Sequence, residues 1–400
     1  MSIYGRQLVM LGLLSSILSF VFSALEVLYT FYAMNDLRVS AAEWSQVRAG
    51  RFLLTIVIVL VLGTWAGKIG HKKALFLASA IAIANVLLFA GFPSKWMLFL
   101  SFPLHIAFVS MITLSVNVLV QEVPLNLQSV SNTVYRTTYT RMAILGPLAL
   151  GLFADVEPVA MFLALAVCLS LCLPLIGWYP QEVRKQEGKQ EVSPSVREQI
   201  RAWRQLLGHR RYVIFDVLVS LIHSAFLANT IFGPVKLIQT IGLDERQFSY
   251  VSAFAALTTT LMMLAAGFLL RKMLMALVYV PLLLCSLGNV LLGLQTIPLV
   301  CIMLYIVSNA FNMMTFASIS IWSTRLVPQE RLGHAFAFHK ILISVFGFLF
   351  SMLLSAGGLW VGVDASMVAM GIFGILCGLW LRKEMRRDYR EGMLKFKTSY

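Results

Sequence analysis

The residues of this sequence best suited to chemistry are two arginines, Arg136 and Arg141, inside an apolar segment at 128–151. The flanks of this segment are hydrophobic enough to cross a membrane. An arginine at the bilayer centre costs roughly 2.5–3.5 kcal/mol on insertion scales. Proteins tolerate such a charge where it faces a cavity filled by water or substrate. The two arginines therefore predict a helix that lines a pathway for an anionic or zwitterionic compound.

Helical geometry groups the polar residues of this segment. Arg141 is the deeper of the two arginines, whereas Arg136 lies nearer the cytoplasmic end, where a long side chain can reach the interface. We expect both to contact substrate or a gate; the alternative is an ion pair or carbonyl contact that serves structure only. At about 100° per residue, one half of the helix carries Asn132, Thr133, Arg136, Thr137, Thr140 and Arg141.

Glu26 is the one acid that we place well inside an apolar segment. The binding of a proton to such a carboxyl group responds both to burial and to a nearby arginine. That sensitivity suits a residue that carries a proton or contacts the cationic part of a substrate. The alternative is a static ion pair with Arg141 or Arg51. Glu26 belongs to a polar stripe at helical spacing, formed by Ser16, Ser19, Ser23, Glu26 and Thr30.

Weaker candidates for the same pathway lie in other apolar segments. His105, Asn309 and Lys340 complete the predicted set, and Lys340 follows His339 near the start of the segment at 334–358. A single histidine or asparagine in a membrane span more often forms a hydrogen bond between helices than it binds a ligand. Both readings stay open for these residues, and for His223 and Asn312.

Composition defines the elements that must position these residues. The chain has 400 residues, of which 59% are hydrophobic and 12% are charged. Soluble proteins carry about 25% charged residues, so we expect an integral membrane protein. Helices of about 20 residues cross the roughly 30 Å of hydrocarbon. We predict twelve such spans, at roughly 8–33, 49–67, 74–92, 96–121, 128–151, 157–179, 212–235, 248–270, 273–294, 297–321, 334–358 and 363–381.

The net charge of +14 is distributed in a way that indicates topology and not nucleic acid binding. Most lysines and arginines fall in alternate loops, which predicts that both termini are cytoplasmic and that the number of spans is even. The five cysteines lie within spans and form no metal-binding pattern. The opposite loops hold only Arg38, Arg48, Lys95, Lys236 and Arg246.

An internal repeat with a constant offset of 204 residues predicts two homologous halves, related by an axis along the membrane normal. We expect six-helix bundles at 1–179 and 212–381 and a basic cytoplasmic tail at 382–400. The segment 180–211 is the expected linker and contains an amphipathic helix for the membrane surface or, alternatively, for a docking partner. The offset aligns Gly63 with Gly267, Lys68 with Lys272, Val123-Pro124 with Val327-Pro328, His105 with Asn309 and Arg136 with Lys340.

The sequence after the second span resembles a loop of the major facilitator superfamily. The segment 63–73 reads GTWAGKIGHKK and contains Gly63, Gly67, Lys68, Gly70 and Lys72. The family pattern is roughly Gly-x-Leu-x-Asp-Arg-x-Gly-Arg-Arg/Lys between spans two and three. Glycines permit a tight turn. This sequence departs from the pattern at Gly67, where the family carries the acid of a charge network that holds one conformation.

A second motif resembles span five of the drug-exporter branch of that family. Gly146, Pro147 and Gly151 match three of the five positions in Gly-x-x-x-Gly-Pro-x-x-Gly-Gly. In the family this bend is associated with antiport; the alternative is a packing kink without directional meaning. The arginine that typical exporters carry in span four is missing, and His105 is the only ionisable residue there.

The resemblance implies an all-α fold of twelve transmembrane helices in two pseudo-symmetric bundles that work by alternating access. No Walker loop, zinc cluster or nucleophile elbow indicates an enzyme. We therefore expect a monomeric carrier in the cell membrane, without cofactor or metal, which uses the proton gradient to export a small anionic or zwitterionic metabolite, siderophore-like compound or drug. The alternatives are organic-anion uptake by symport and a membrane sensor or scaffold that transports nothing.

Overall fold

The computed structural model describes residues 3–58, 69–121, 125–180, 196–326 and 332–390. Within these ranges the regular structure is helical, and no strand occurs. The helices are α1 (Ile3–Asn35), α2 (Ala41–Val57), α3 (His71–Gly91), α4 (Lys95–Gln121), α5 (Leu125–Leu152), α6 (Pro158–Ser170), α7 (Cys172–Trp178), α8 (Val196–Leu207), α9 (Arg210–Val235), a π-helical turn (Lys236–Thr240), α10 (Glu245–Leu294), α11 (Pro298–Leu326), α12 (Leu332–Trp360) and α13 (Val363–Arg390).

Most of these helices are long and apolar enough to cross a membrane. The described part of the chain contains nine such stretches and two shorter apolar ones, Thr140–Leu152 and Pro298–Asn312. The shorter ones fall in the predicted fifth and tenth spans, and much of the predicted second span, at 49–67, lies outside the described residues. The chain is therefore a multi-pass helical membrane protein, while the count of twelve spans stays a prediction.

Helix α10 differs from the predicted chain course. We expected a loop at Arg271-Lys272 between two spans, but the backbone is helical from Glu245 to Leu294. No glycine or proline interrupts residues 268–280, so nothing in this stretch disfavours helical backbone. The helix contains two separate apolar stretches, Glu245–Ala266 and Ala276–Leu294.

The chain forms two compact units. The first comprises Met1–Val39, Gly50–Val196 and Leu243–Phe254; the second comprises Ser40–Ala49, Arg197–Gly242 and Ala255–Tyr400. In the first unit α1 packs extensively against α5 and also against α6. In the second unit α9 packs in the same way against α12 and α13. These equivalent pairings agree with the internal repeat, whereas the predicted domain boundaries stay predictions.

Aromatic residues form the core of the first unit. The Tyr29 ring lies between Phe89 and Phe162, with centroids 4.9 Å away on both sides. Its hydroxyl is 2.7 Å from Ser101 Oγ, and the amide of Asn85 donates to the Ser101 carbonyl at 2.9 Å. Tyr29, Ser101 and Asn85 are therefore paired between helices, as polar groups in a membrane interior require.

A buried ion pair joins three segments of the second unit. Lys236 was expected in an outer loop, but its side chain is 0% exposed. Its ammonium group donates to Asp364 Oδ1 at 2.8 Å, to the Leu292 carbonyl at 2.7 Å and to the Gly293 carbonyl at 3.3 Å. The lysine is buried because the last turn of α10 and the first turn of α13 together satisfy its three protons.

Helix α8 lies against the second unit through one face. Leu206 is fully buried with Tyr212 and Ala335, and the rings of Trp203 and Phe338 have centroids 6.3 Å apart. Arg201 and Arg204 are exposed on other faces of the helix. The segment is therefore strongly amphipathic.

Candidate functional site

Helices α1 and α5 approach each other closely at Gly146. A Cβ atom added there would stand 2.2 Å from Ser23 Oγ, 2.5 Å from the Phe20 carbonyl oxygen and 2.9 Å from the Ala24 nitrogen. Only glycine permits this approach. The Phe20 oxygen and the Ala24 nitrogen belong to the backbone of α1 and cannot rotate away from an added methyl group. Pro147, the next residue, is buried inside α5. The predicted motif therefore forms a helix–helix contact of the small-residue type.

This contact fixes the positions of Glu26 and Arg141 along the two helices. Membrane crossings alternate in direction, and three predicted crossings separate α1 from α5, so the two helices run the same way. Arg141 precedes Gly146 by five residues and Glu26 follows Ser23 by three. At about 1.5 Å per residue, their Cα atoms are offset by about 12 Å along the helices. This offset disfavours a direct ion pair between them.

Both charged side chains are exposed. Glu26 of α1 and Arg141 of α5 are exposed, although they lie in apolar helices whose other faces are packed. An ionised group at membrane depth does not face lipid tails; it faces a water-filled or protein-lined space. The first unit therefore presents an acid and a base toward polar surroundings, at two different levels. The side chains of Asn132, Thr133, Arg136 and Thr137 lie outside the described residues.

His105 of α4 is fully buried. Its ring packs against Phe22 and Tyr29, with both centroids 5.6 Å away. Neither ring nitrogen has a hydrogen-bond partner among the residues that the structure describes. His105 therefore does not make the interhelical hydrogen bond that is usual for a histidine in a span, and it is close enough to Glu26 for their charges to interact.

The candidate site residues of the second half, Asn309 and Lys340, have different local environments. Asn309 donates from Nδ2 to the Tyr305 carbonyl of its own helix at 2.8 Å, so this hydrogen bond does not join helices. Lys340 is exposed on α12. The preceding residue, His339, forms an ion pair with Asp216 of α9. Lys340 thus stands at an accessible surface beside a buried pair.

One inference from the sequence was wrong, as Asp216 shows. Glu26 is not the only acid inside an apolar span, because Asp216 lies in the stretch Arg210–Thr240 and is 0% exposed. It lies near the start of the predicted span at 212–235. The available signal was a stripe of polar residues at helical spacing, Asp216, Ser220, His223 and Ser224.

The glycine-rich loop is described only at its end. Gly63, Gly67 and Lys68 lie outside the described residues. Gly70 has a φ of 89°, a left-handed conformation that favours glycine, and it precedes α3. Lys72 donates to the carbonyls of Gly177 at 2.9 Å and Tyr179 at 2.8 Å. This lysine therefore binds the C-terminal end of α7, where a cation is favoured by the helix dipole.

Replacing Lys72 with Met is expected to lower the free energy of unfolding by about 1–2 kcal/mol, since two charge-assisted hydrogen bonds at a partly exposed site are lost. Chemical denaturation of the purified protein in mixed micelles measures this change. Lys73→Met is the matched control, because Lys73 is exposed, and we expect a change within about 0.5 kcal/mol. Equal effects of the two substitutions would contradict the assignment.

Gly151 makes the second close contact of the motif on α5. A Cβ atom there would lie 2.6 Å from the ring of Tyr250. The atoms next to Gly151 therefore belong to a side chain, whereas Gly146 also meets backbone atoms. The motif residues Gly146 and Gly151 both serve packing within the first unit, and their link to antiport stays a prediction.

Packed apolar helices of membrane-spanning length define this protein as a multi-pass helical membrane protein. Residues 11–351 match the family model of the Major Facilitator Superfamily, and the chain belongs to that superfamily. No curated protein matches the chain in sequence.

Solved structures of several transporters share the fold. A point mutant of the nucleoside transporter NupG has 15% identity and a TM-score of 0.77 over 94% of this chain and 99% of that chain. A bacterial homologue of the human lysosomal transporter Spinster has 13% identity and a TM-score of 0.73 over 98% of both chains. A POT family transporter in complex with 5-aminolevulinic acid has 14% identity and a TM-score of 0.74 over 98% of this chain and 96% of that chain. At these identities the likeness shows the fold alone.

Proposed function

We propose that this chain exports a small zwitterionic or anionic organic compound in exchange for protons. The observation that carries the proposal is the pair of exposed charges, Glu26 and Arg141, on two tightly packed helices at levels about 12 Å apart. A zwitterionic compound carries a cationic group that suits Glu26 and an anionic group that suits Arg141. Glu26 would bind either a proton or the cationic end, and such competition couples the two fluxes in opposite directions.

The remaining candidates have supporting roles in this proposal. In the first half, Arg141 and Arg136 attract the carboxylate or phosphate of the substrate, and Lys340 has the same role in the second half. His105, which is buried, completes the first-half site, and Asn309 is its counterpart in the second half. The carrier works as a monomer in the cell membrane, with both termini cytoplasmic and without a cofactor. A related fold that binds 5-aminolevulinic acid, a small zwitterion, is compatible with this class of substrate.

Everted membrane vesicles test the proposal. Respiration acidifies their interior, and acridine orange reports the gradient. A panel of amino acids, organic acids, nucleosides and siderophore-like chelators is added one compound at a time. We expect at least one zwitterionic or anionic compound to dissipate the gradient in vesicles with this chain but not in empty ones. A panel without response would overturn the export proposal. Accumulation only in right-side-out vesicles with an inward proton gradient would replace it with uptake by symport.

Two substitutions then separate the roles of the charges. Glu26→Gln is expected to abolish gradient dissipation at wild-type protein level. Arg141→Ala is expected to raise the KM of the identified compound at least tenfold, which corresponds to about 1.4 kcal/mol of lost binding. Asp155→Asn is the control, because Asp155 is 87% exposed in a surface ion pair. Unchanged pH dependence in Glu26→Gln would remove the proton role from that residue.

A further inference from the structure

An apolar crevice is formed by α9, α12 and α13 of the second unit. Its volume of about 510 Å³ lies within the roughly 300–1,000 Å³ that is usual for ligand sites. Five side chains of α12 between residues 346 and 353 line it, together with Leu221 of α9 and Phe373 of α13. All of these residues are leucine, phenylalanine or methionine. The lining side chains therefore suit hydrocarbon and not a polar substrate.

The crevice is open toward an apolar surface of α12. Leu349 and Leu353 are 48% and 58% exposed, whereas Phe350 is nearly buried and packs against Phe373, with ring centroids 5.4 Å apart. Helix α12 buries polar residues such as Ser351 and exposes leucines. Exposed apolar patches of this kind mark contact with a membrane or a partner. In a helix of a membrane protein, this surface meets the hydrocarbon chains of lipids.

The face of α13 that carries Phe373 ends in basic residues. At 3.6 residues per turn, Trp380, Lys383 and Arg387 lie within about 80° of Phe373 around the helix. All three are exposed. Glu384, the one acid of residues 380–387, forms an ion pair with Arg387 and accepts a hydrogen bond from Trp380 Nε1 at 3.3 Å. This face therefore leads from the crevice to a tryptophan and then to cationic side chains.

The spacing along α13 matches the thickness of one leaflet. Phe373 precedes Trp380 by seven residues and Lys383 by ten. At about 1.5 Å per residue, these separations are about 10 Å and 15 Å. One leaflet contributes about 15 Å of hydrocarbon, half of the roughly 30 Å total, and tryptophan is enriched at its boundary. The crevice thus lies near the membrane midplane when Lys383 lies at the level of the headgroups.

Further basic residues belong to the same end of the second unit. Phe215, near the start of α9, shares a core cluster with Met385, near the end of α13. Helix α8 packs against Tyr212 at this end and exposes Arg201 and Arg204. Basic clusters at a membrane surface attract anionic headgroups. A phospholipid with net negative charge is therefore favoured here over a neutral one.

We propose that the crevice and the basic end of α13 together bind one anionic phospholipid. An acyl chain occupies the crevice, and Lys383 and Arg387 bind the phosphate at the membrane surface. A guanidinium has five N–H donors, so Arg387 can bind the phosphate and Glu384 together. The bound lipid contacts α9, α12 and α13 at once. This site goes beyond the proposed function and does not depend on it.

Native mass spectrometry of the full-length protein in detergent tests the headgroup site. Dioleoylphosphatidylglycerol and dioleoylphosphatidylcholine are titrated separately, and the spectra report lipids per chain and chains per particle. We expect the anionic lipid to bind at least fivefold more tightly, since each basic residue near the surface raises affinity about fivefold. Lys383→Gln combined with Arg387→Gln should remove this preference. Arg6→Gln combined with Lys73→Gln removes two exposed basic residues of the first unit and should retain it.

A second pair of variants tests the crevice. Leu353→Trp places a larger side chain in the crevice, so we expect it to weaken the binding of both lipids at least fivefold. Leu359→Trp is the matched control, because Leu359 lies on the same helix and is 67% exposed but does not line the crevice. This control should bind both lipids as the wild type does.

Four results would overturn the proposal. Equal affinity of the wild type for the two lipids, a result that needs no variant, would exclude headgroup recognition. Equal loss of preference in the Arg6 and Lys73 control would show charge attraction without a site. Unchanged binding in Leu353→Trp would exclude the crevice. A two-chain particle that Leu353→Trp splits into single chains would assign the crevice to a second copy. No transported compound is involved, so each result leaves the export proposal standing.

Discussion

Replacement of Asp364 with Asn is expected to lower the free energy of unfolding by about 3–5 kcal/mol. The substitution replaces the carboxylate with an uncharged amide, so the ammonium group of Lys236 keeps neutral acceptors but loses its countercharge, in a place where the lysine side chain is 0% exposed. Water cannot reach the charge, so its desolvation stays uncompensated.

The partner substitution, Lys236→Met, is expected to be milder, at about 1–3 kcal/mol. The carboxylate left behind is 52% exposed and can be hydrated, and methionine fills much of the space of the lysine stem. The lost stability comes from the two carbonyls near the end of α10 that no longer have a donor. We thus predict that replacing the acid of this ion pair lowers the free energy of unfolding more than replacing the lysine does.

Denaturation in mixed micelles, followed by tryptophan fluorescence, measures both changes. Arg246→Ala provides the control: Arg246 and Asp155 form an ion pair at 2.6 Å, but their side chains are 47% and 87% exposed. Such a surface pair contributes about 0–1 kcal/mol. If Asp364→Asn proves no more harmful than Arg246→Ala, the buried lysine does not depend on its countercharge.

Replacement of Gly146 with Ala is expected to lower the free energy of unfolding by about 3 kcal/mol, at the upper end for overpacking. The added methyl group would meet the Phe20 carbonyl at 2.5 Å and the Ala24 nitrogen at 2.9 Å. Neither backbone atom can rotate away, so α1 and α5 must separate. Because this contact sets the positions of Glu26 and Arg141, we also expect lower transport by the protein that folds.

Two other glycines provide graded controls. Gly151→Ala meets the side chain of Tyr250, which can move in part, so a smaller loss is expected. Gly177→Ala in α7 meets no atom within 4 Å and should be neutral or slightly stabilising. Thermal unfolding in detergent should rank the three variants in this order, and a Gly146→Ala protein as stable as Gly177→Ala would refute the close contact.

Much of the fold could be predicted from the sequence, because membrane helices are determined locally. A run of apolar residues and alternate basic loops place most helices without knowledge of the packing. The helical course through Arg271-Lys272 was missed since basic residues were read as a loop, although they lie in a stretch without helix breakers.

The site was harder to predict because it depends on the positions of helices relative to each other. The sequence left open whether Glu26 pairs with Arg141. The contact between Gly146 and Ser23 fixes how α1 and α5 are aligned along their lengths, and this alignment disfavours the ion pair. Asp216 was missed for a related reason. It lies near the start of the predicted span at 212–235, and only the packing of α12 against α9 shows that it is buried beside His339.

The hydroxyl groups of the polar stripe on α1 have a further property. Ser16 donates to the Gly12 carbonyl at 2.7 Å, Ser23 to the Phe20 carbonyl at 3.0 Å and Thr30 to the Glu26 carbonyl at 2.7 Å. A hydroxyl has one proton, and each of these is already in use. These three hydroxyls therefore keep only lone pairs for any further hydrogen bond, so that at these positions α1 can accept a proton from a neighbouring group but cannot donate one.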